Sequence, residues 1–245
     1  MYPKIDLHMH TRYSDGRNTI DEMVRAAAAN DLYMIAITDH LFRPFMRPEW
    51  LDKAREEIEE AMNKYGIHVL YGVEITKPLI EDLSKPIPVT KEVQLVVCEH
   101  PVPDHIRDRR RFLEYVLEGI KKISLNENID VLAHPLNLGR SNVIHDFREI
   151  ERDFLVEIAR VLADSNIVVE VMSQMYWWYP HMSISSFTEH YVEFIKLCKH
   201  HGVLFTIGSD AHSVCGVGNV YWSLKVLKRA GVSPDEIWMP EEKKD

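Results

Sequence analysis

At 245 residues, with 46% apolar and 27% charged side chains, the chain has an ordinary soluble composition that can bury a sizeable core. A formal net charge of −9 repels polyanions over the surface as a whole, so binding long nucleic acid would need a local basic patch. No stretch approaches the ~18 uninterrupted apolar residues of a membrane span, and Met1 runs into Lys4-Ile5-Asp6-Leu7 without a secretory leader. Cys98, Cys198 and Cys215 have no CxxC spacing and suggest no disulfide framework. With no Gly/Ser-rich or Pro-rich linker in the chain, the expectation is one domain over residues 1–245, cytoplasmic, with disorder only in 241–245.

Seven short apolar runs read as strands buried on both faces. Residues 5–8 form the first and end in His8-Met9-His10. A helix over 19–30, with Ile20, Met23, Val24 and Ala27 on one face, leads to a strand over 33–38 and Thr38-Asp39-His40. A helix over 49–65 precedes the strand 68–73, which ends in Gly72-Val73-Glu74. The next segment, 76–92, is broken by Pro78, Pro86 and Pro88 and fits no amphipathic helix. A strand over 93–98 ends in Glu99-His100 and is followed by a helix over 110–125; a strand over 131–133 ends in His134-Pro135, followed by a helix over 147–162. The strand 167–172 carries Glu170 within it, a helix spans 187–200, and the strand 203–207 runs into Ser209-Asp210-Ala211-His212. Alternating strands and helices predict an α/β fold, either a βα-repeated barrel or a doubly wound sheet, and with seven strands and one irregular connection a distorted (βα)7 TIM-like barrel fits the count better.

Six of the seven strands end in a residue that can bind a metal. Because strand C-termini form the active-site face of such folds, these residues are expected to converge on one bowl. His8 with His10, and Asp210 with His212, are two apart and so point to the same side of an extended chain. In a closed barrel the first and last strands are neighbours, and the two pairs meet. Asp15, in Thr11-Arg12-Tyr13-Ser14-Asp15-Gly16, either folds back over the bowl or is a turn residue or helix cap.

Asp6-Leu7-His8-Met9-His10-Thr11, Ser14-Asp15-Gly16, Thr38-Asp39-His40, Gly72-Val73-Glu74, Ala133-His134-Pro135 and Gly208-Ser209-Asp210-Ala211-His212 together resemble, in order, the PHP (polymerase and histidinol phosphatase) superfamily, and within it the compact stand-alone phosphatases. The resemblance runs from residue 5 to about residue 218. It implies three metal ions: the first on His8, His10, Glu74 and Asp210; the second on Glu74, His100 and His134, with Glu74 bridging; the third on Asp15, His40 and His212. The surroundings of His100 match the family's motif only loosely. Imidazole and carboxylate without thiolate suit Zn²⁺, Mn²⁺ or Fe²⁺. Two or three such ions acidify a water and bind phosphoryl oxygens, so the expected nucleophile is a metal-bound hydroxide, with Glu74 and Asp210 as the catalytic carboxylates.

Lone histidines such as His68, His105, His145, His190, His200 and His201 are read as core or surface residues, and Cys98 as a small buried strand residue. Glu170 is expected to orient a ligand histidine. Arg12, Arg17, Arg43, Arg47 and Arg140 all follow strands, and arginine forks match phosphate oxygens; Arg43 and Arg140 are the first choices, with His181 a further candidate for substrate contact. The aromatic run Tyr176-Trp177-Trp178-Tyr179 either walls the substrate pocket or makes an oligomer contact. The leading reading is a phosphatase of small phosphomonoesters that does not bind nucleic acid. A nuclease would draw on Arg107, Arg109, Arg110 and Arg111, and a non-catalytic scaffold ranks last because all nine ligand positions are filled.

Overall fold

Strands that are apolar on both faces need cover on both, and a parallel sheet wrapped by its own crossover helices supplies it. The computed structural model describes residues 1–240; residues 241–245, expected to be disordered, lie outside the described residues. Its strands are β1 (Ile5–Asp6), β2 (Met34–Ile37), β3 (His40–Leu41), β4 (His68–Ile75), β5 (Leu95–Glu99), β6 (Val131–Ala133), β7 (Val168–Met172) and β8 (Phe205–Gly208). The order is β1-β2-β4-β5-β6-β7-β8, with every neighbour parallel. The Leu7 and His10 N–H groups donate to the Ile207 and Ala211 carbonyls, and Asp210 N–H donates to the His8 carbonyl, each at 2.9 Å. The last strand is thereby joined to the first, and the barrel closes.

Seven strands make the barrel, as the alternating pattern predicts. β3 is an addition: after Thr38-Asp39 the chain pairs beside the upper half of β4, His40 opposite Glu74 and Leu41 opposite Ile75. No helix separates β2 from β3, so the sequence pattern registers them as one element.

Among the described residues six helices surround the barrel: α1 (Ile20–Ala29), α2 (Leu51–Tyr65), α3 (Arg109–Ser124), α4 (Arg152–Ala163), α5 (Ile184–His200) and α6 (Tyr221–Ala230). Their starts follow local chemistry: Thr19 and Glu22 form a reciprocal capping box on α1, and Asp108 and Ser183 cap α3 and α5 through side-chain oxygens. The C-terminus of α2 stops at Gly66, whose φ of 66° suits a residue without Cβ. Two expectations need correction. The single helix over 147–162 is a 3₁₀ turn at Phe147–Glu149, an extended Ile150, and then α4, because Phe147 is drawn inward against Tyr179 and Phe187. The second is α6, absent from the sequence reading: its start has no side-chain cap, although Trp222, Val226, Leu227 and Ala230 line its buried face.

Candidate metal centre

Glu74 sits at the middle of the bowl, 1% exposed, at the C-terminal end of β4. Its Oε1 is 3.5 Å from His8 Nε2 and 3.2 Å from His134 Nε2, while its Oε2 is 3.8 Å from His10 Nε2 and 2.6 Å from His40 Nδ1. Asp210 Oδ1 lies 3.7 Å from His8 Nε2 and 3.1 Å from His10 Nε2. Above them, Asp15 Oδ1 stands 3.3 Å from His40 Nε2 and 3.1 Å from His212 Nε2. Three overlapping groups result: His8, His10 and Asp210; His8, Glu74 and His134; and His10, Asp15, His40 and His212. Ligand atoms around a tetrahedral ion with bonds of about 2.1 Å are themselves roughly 3.4 Å apart, the range seen here.

Electrostatics point the same way. Burial alone would raise Glu74 and Asp210, but the surrounding histidines, His8 foremost, hold both carboxyls well below their ordinary range. Burial works against a charged His8, yet Glu170, Glu74 and Asp210 outweigh it and lift the imidazole well above its usual value. His40 and His134 are raised in the same sense, against burial, by Glu74 above all; burial lowers His10. His8 Nε2 and both ring nitrogens of His10 are buried without a hydrogen-bond partner among the described residues, a costly state that an ion taking the lone pair of one nitrogen on each ring would relieve. A buried cluster rich in carboxylates, with unpartnered imidazole nitrogens aimed among them, fits a divalent cation.

Three buried carboxylates brace the loops that carry these groups. Glu170 of β7 accepts from His8 Nδ1 at 2.9 Å and from the His134 backbone N–H at 2.7 Å, so it sets the histidine tautomer and leaves Nε2 facing the bowl. Asp39 takes the Thr11 N–H at 2.8 Å, the Thr11 hydroxyl at 2.6 Å and the Ser14 hydroxyl, which fastens the turn bearing Asp15. Asp6 takes the Ser209 and Gly218 N–H groups at 2.7 and 2.8 Å, and burial pushes its carboxyl up to about 6 despite those bonds. The backbone is strained here: His134 has φ 26°, Asp210 55° and Lys77 49°, conformations non-glycine residues hold only where their surroundings over-determine them.

Eight of the nine expected side chains therefore gather; His100 does not join them. Its Nε2 accepts the Leu136 N–H at 3.1 Å and its Nδ1 faces the Pro101 carbonyl, while burial, then Arg140, depress it to about 3. Its neighbour Glu99 comes nearer, with Oε1 3.8 Å from His134 Nε2, while the same oxygen accepts from Arg140 Nη1 at 2.8 Å and Oε2 from the Lys77 N–H at 2.7 Å. Adjacent strand residues point to opposite faces, and the pair Glu99-His100 gives no sign of which one turns inward. Of the substrate candidates, Arg140 adjoins the bowl through Glu99 and lies 5.5 Å over the Trp178 ring. Arg43 is exposed and turned toward Met46, and exposed His181 packs on His145. Arg47 is bound by Asp52 and Glu92. The aromatic run divides: Tyr179 is core, stacked on Phe187; Tyr176 packs on Trp222; Trp178 lies 6.5 Å from His134; and Trp177 is exposed.

Residues 6–174 match the family model described as PHP domain. The chain belongs to the PHP domain family. Among PHP relatives, a protein named probable phosphatase from Thermoanaerobacter sp. (strain X514) is 27% identical over 248 residues, covering 94% of this chain and 88% of that one. The DNA polymerase/3'-5' exonuclease PolX of Bacillus subtilis (strain 168) is 26% identical, but this PHP chain, 86% of it aligned, spans only 34% of that protein. In structure the fold is shared with histidinol phosphate phosphatase of Lactococcus lactis, solved with zinc, L-histidinol and phosphate: the TM-score is 0.72 at 20% identity, over 95% of both chains.

Proposed function

We propose that this PHP chain is a metal-dependent phosphatase that hydrolyses a small phosphomonoester, transferring the phosphoryl group to water and releasing an alcohol. The observation that carries the reading is the set of three overlapping histidine–carboxylate groups around Glu74. His8, His10, Glu74 and Asp210 would hold one divalent ion, Glu74 and His134 a second with Glu99 in the part expected of His100, and Asp15, His40 and His212 a third. Zn²⁺, Mn²⁺ and Fe²⁺ all suit these donors. Such ions, when bound, lower the pKa of water and neutralise phosphoryl oxygens.

The chain's own residues supply the rest. Glu74 and Asp210 are the buried negative charges that offset the cations, and Glu170 keeps the His8 proton on Nδ1, away from the bowl. Arg140, braced by Glu99 and Trp178, offers guanidinium N–H groups to phosphate oxygens. Trp178, beside His134, narrows the bowl on the β6–β7 side. No helix among the described residues is long and apolar enough to cross a membrane; a cytoplasmic site of action is part of the proposal.

The test is elemental analysis of protein purified without added metal, followed by phosphate release from a panel of monoesters before and after chelation. The expected result is one or more first-row ions per chain and a chelation-sensitive monoesterase. Metal-replete protein that releases no phosphate would refute it. The likeness to PolX supports a second reading, an exonuclease. Here Arg110 is drawn to Glu114 and Asp108 is tied to the Arg111 N–H, and Arg107 through Arg111 are exposed as a solvated helix start. Faster, salt-sensitive digestion of oligonucleotides than of any monoester would favour that reading.

A further inference from the structure

A cavity of about 430 Å³ lies next to the bowl, outside the ligand groups. Its floor is apolar and stiff: Pro78, Pro101 and Pro103 are buried, and Pro101 is seated on Gly119 of α3 so closely that a Cβ there would meet the proline ring at 2.1 Å. Its rim is cationic, with Lys77, Arg107 and Arg140 facing one carboxylate, Asp104, which is drawn to His105 at 3.5 Å. In a chain of net charge −9 this local excess of positive charge needs a reason. Among the described residues no carboxylate pairs with Lys77 or Arg107, and both are exposed. Lys77 is also held in a left-handed conformation, φ 49°, with its backbone N–H given to Glu99 Oε2 at 2.7 Å. The strain is spent on turning that residue at the wall between cavity and bowl. Arg140 belongs to both spaces, lining the cavity and bonding Glu99 Oε1 at 2.8 Å.

Building on the phosphatase reading above, we infer that the cavity receives the leaving group of the substrate, and that this group carries a second anion, a carboxylate or a further phosphate, at the end of a short apolar body. The scissile phosphate lies in the bowl, the body rests on the prolines and Tyr115, and Lys77 and Arg107 meet the distal anion. The volume of about 430 Å³ falls in the range of small-molecule sites.

A matched series tests this: n-pentyl phosphate, its ω-carboxylate and its ω-phosphate, each assayed for phosphate release by metal-replete protein and by the Lys77→Met/Arg107→Met double variant. One anchored charge–charge contact corresponds to about tenfold in affinity. The expected result is a kcat/KM at least about tenfold higher for one ω-anionic ester than for n-pentyl phosphate, lying in KM, with the ratio falling to near unity in the double variant. Which ω-group wins identifies the anion. Equal turnover of all three esters, or a ratio that survives the double substitution, overturns the inference and leaves the phosphatase reading standing. No phosphate release from any ester sinks both.

Discussion

Glu74 faces four imidazoles from three segments, His8 and His10 after β1, His40 on β3 and His134 after β6, which makes it the central side chain of the cluster. Glu74→Gln keeps its shape and removes the charge that, in the proposed centre, would offset two cations, so at least one ion is expected to be lost and turnover to fall by more than about 100-fold, beyond the effect of an outer partner; elemental analysis beside a rate measurement checks both. Glu99 and His100 allow a sharper comparison. With the His100 imidazole occupied by the Leu136 N–H and Glu99 facing His134, Glu99→Gln is expected to lower metal content and His100→Gln to leave it unchanged. The opposite pattern, read by elemental analysis of both purified variants, would restore His100 as the ligand. Acid acts on the same atoms. Metal binding needs neutral imidazole and ionised carboxylate, and neighbouring carboxylates lift His8 above its ordinary value, so protons compete for the site from the neutral side downward. Rate and metal content are expected to decline together as pH falls; a rate lost with all metal retained would place the titration on substrate or water instead.

Elements matter here through what joins them. Glu170 ties β7 to the His8 segment and to the loop after β6, and it has room only because residue 208 on β8 is glycine: a Cβ there would meet Glu170 Oε1 at 2.0 Å and His8 Cβ at 2.7 Å. Glu170→Gln is expected to weaken metal binding by about 10- to 100-fold with a folded barrel retained, and Gly208→Ala to do the same while also costing about 1–3 kcal/mol from overpacking. Competition with a metallochromic chelator measures the first effect and denaturant unfolding the second. Circular dichroism that shows an unfolded Glu170→Gln protein would make Glu170 a structural residue only. The strands and the His, Asp and Glu side chains that gather at their ends are legible in the sequence because an apolar run followed by such a residue leaves a mark in one dimension. Glu170 was legible as a carboxylate within an apolar strand, where it cannot be buried unpaired. Three features left no such mark. β3 has no break before it, α6 lacks a side-chain cap, and the choice between Glu99 and His100 depends on which side of the barrel wall each residue meets, which only the register of β5 against β4 and β6 decides.

For the molecule as a whole, the bowl concentrates Asp15, Glu74 and Asp210 among the histidines, and ions bound there would join groups from the ends of β1, β3, β4, β6 and β8. A ligand that binds only the folded chain stabilises it by RT ln(1 + [L]/Kd), about 4 kcal/mol at a thousandfold excess over Kd. Chelation is therefore expected to lower Tm by several degrees, an effect differential scanning calorimetry with and without re-added metal would detect; a Tm indifferent to chelation would mean that nothing in the bowl binds tightly. The barrel seam adds an order in time. His8 and His10 are made early, whereas Asp210 and His212 reach their partners only when β8 lies beside the first strand. In the proposed centre, an ion that uses Asp210 or His212 together with His8 or His10 can be held only once the first and last strands lie side by side, so its binding would report that the barrel seam has closed.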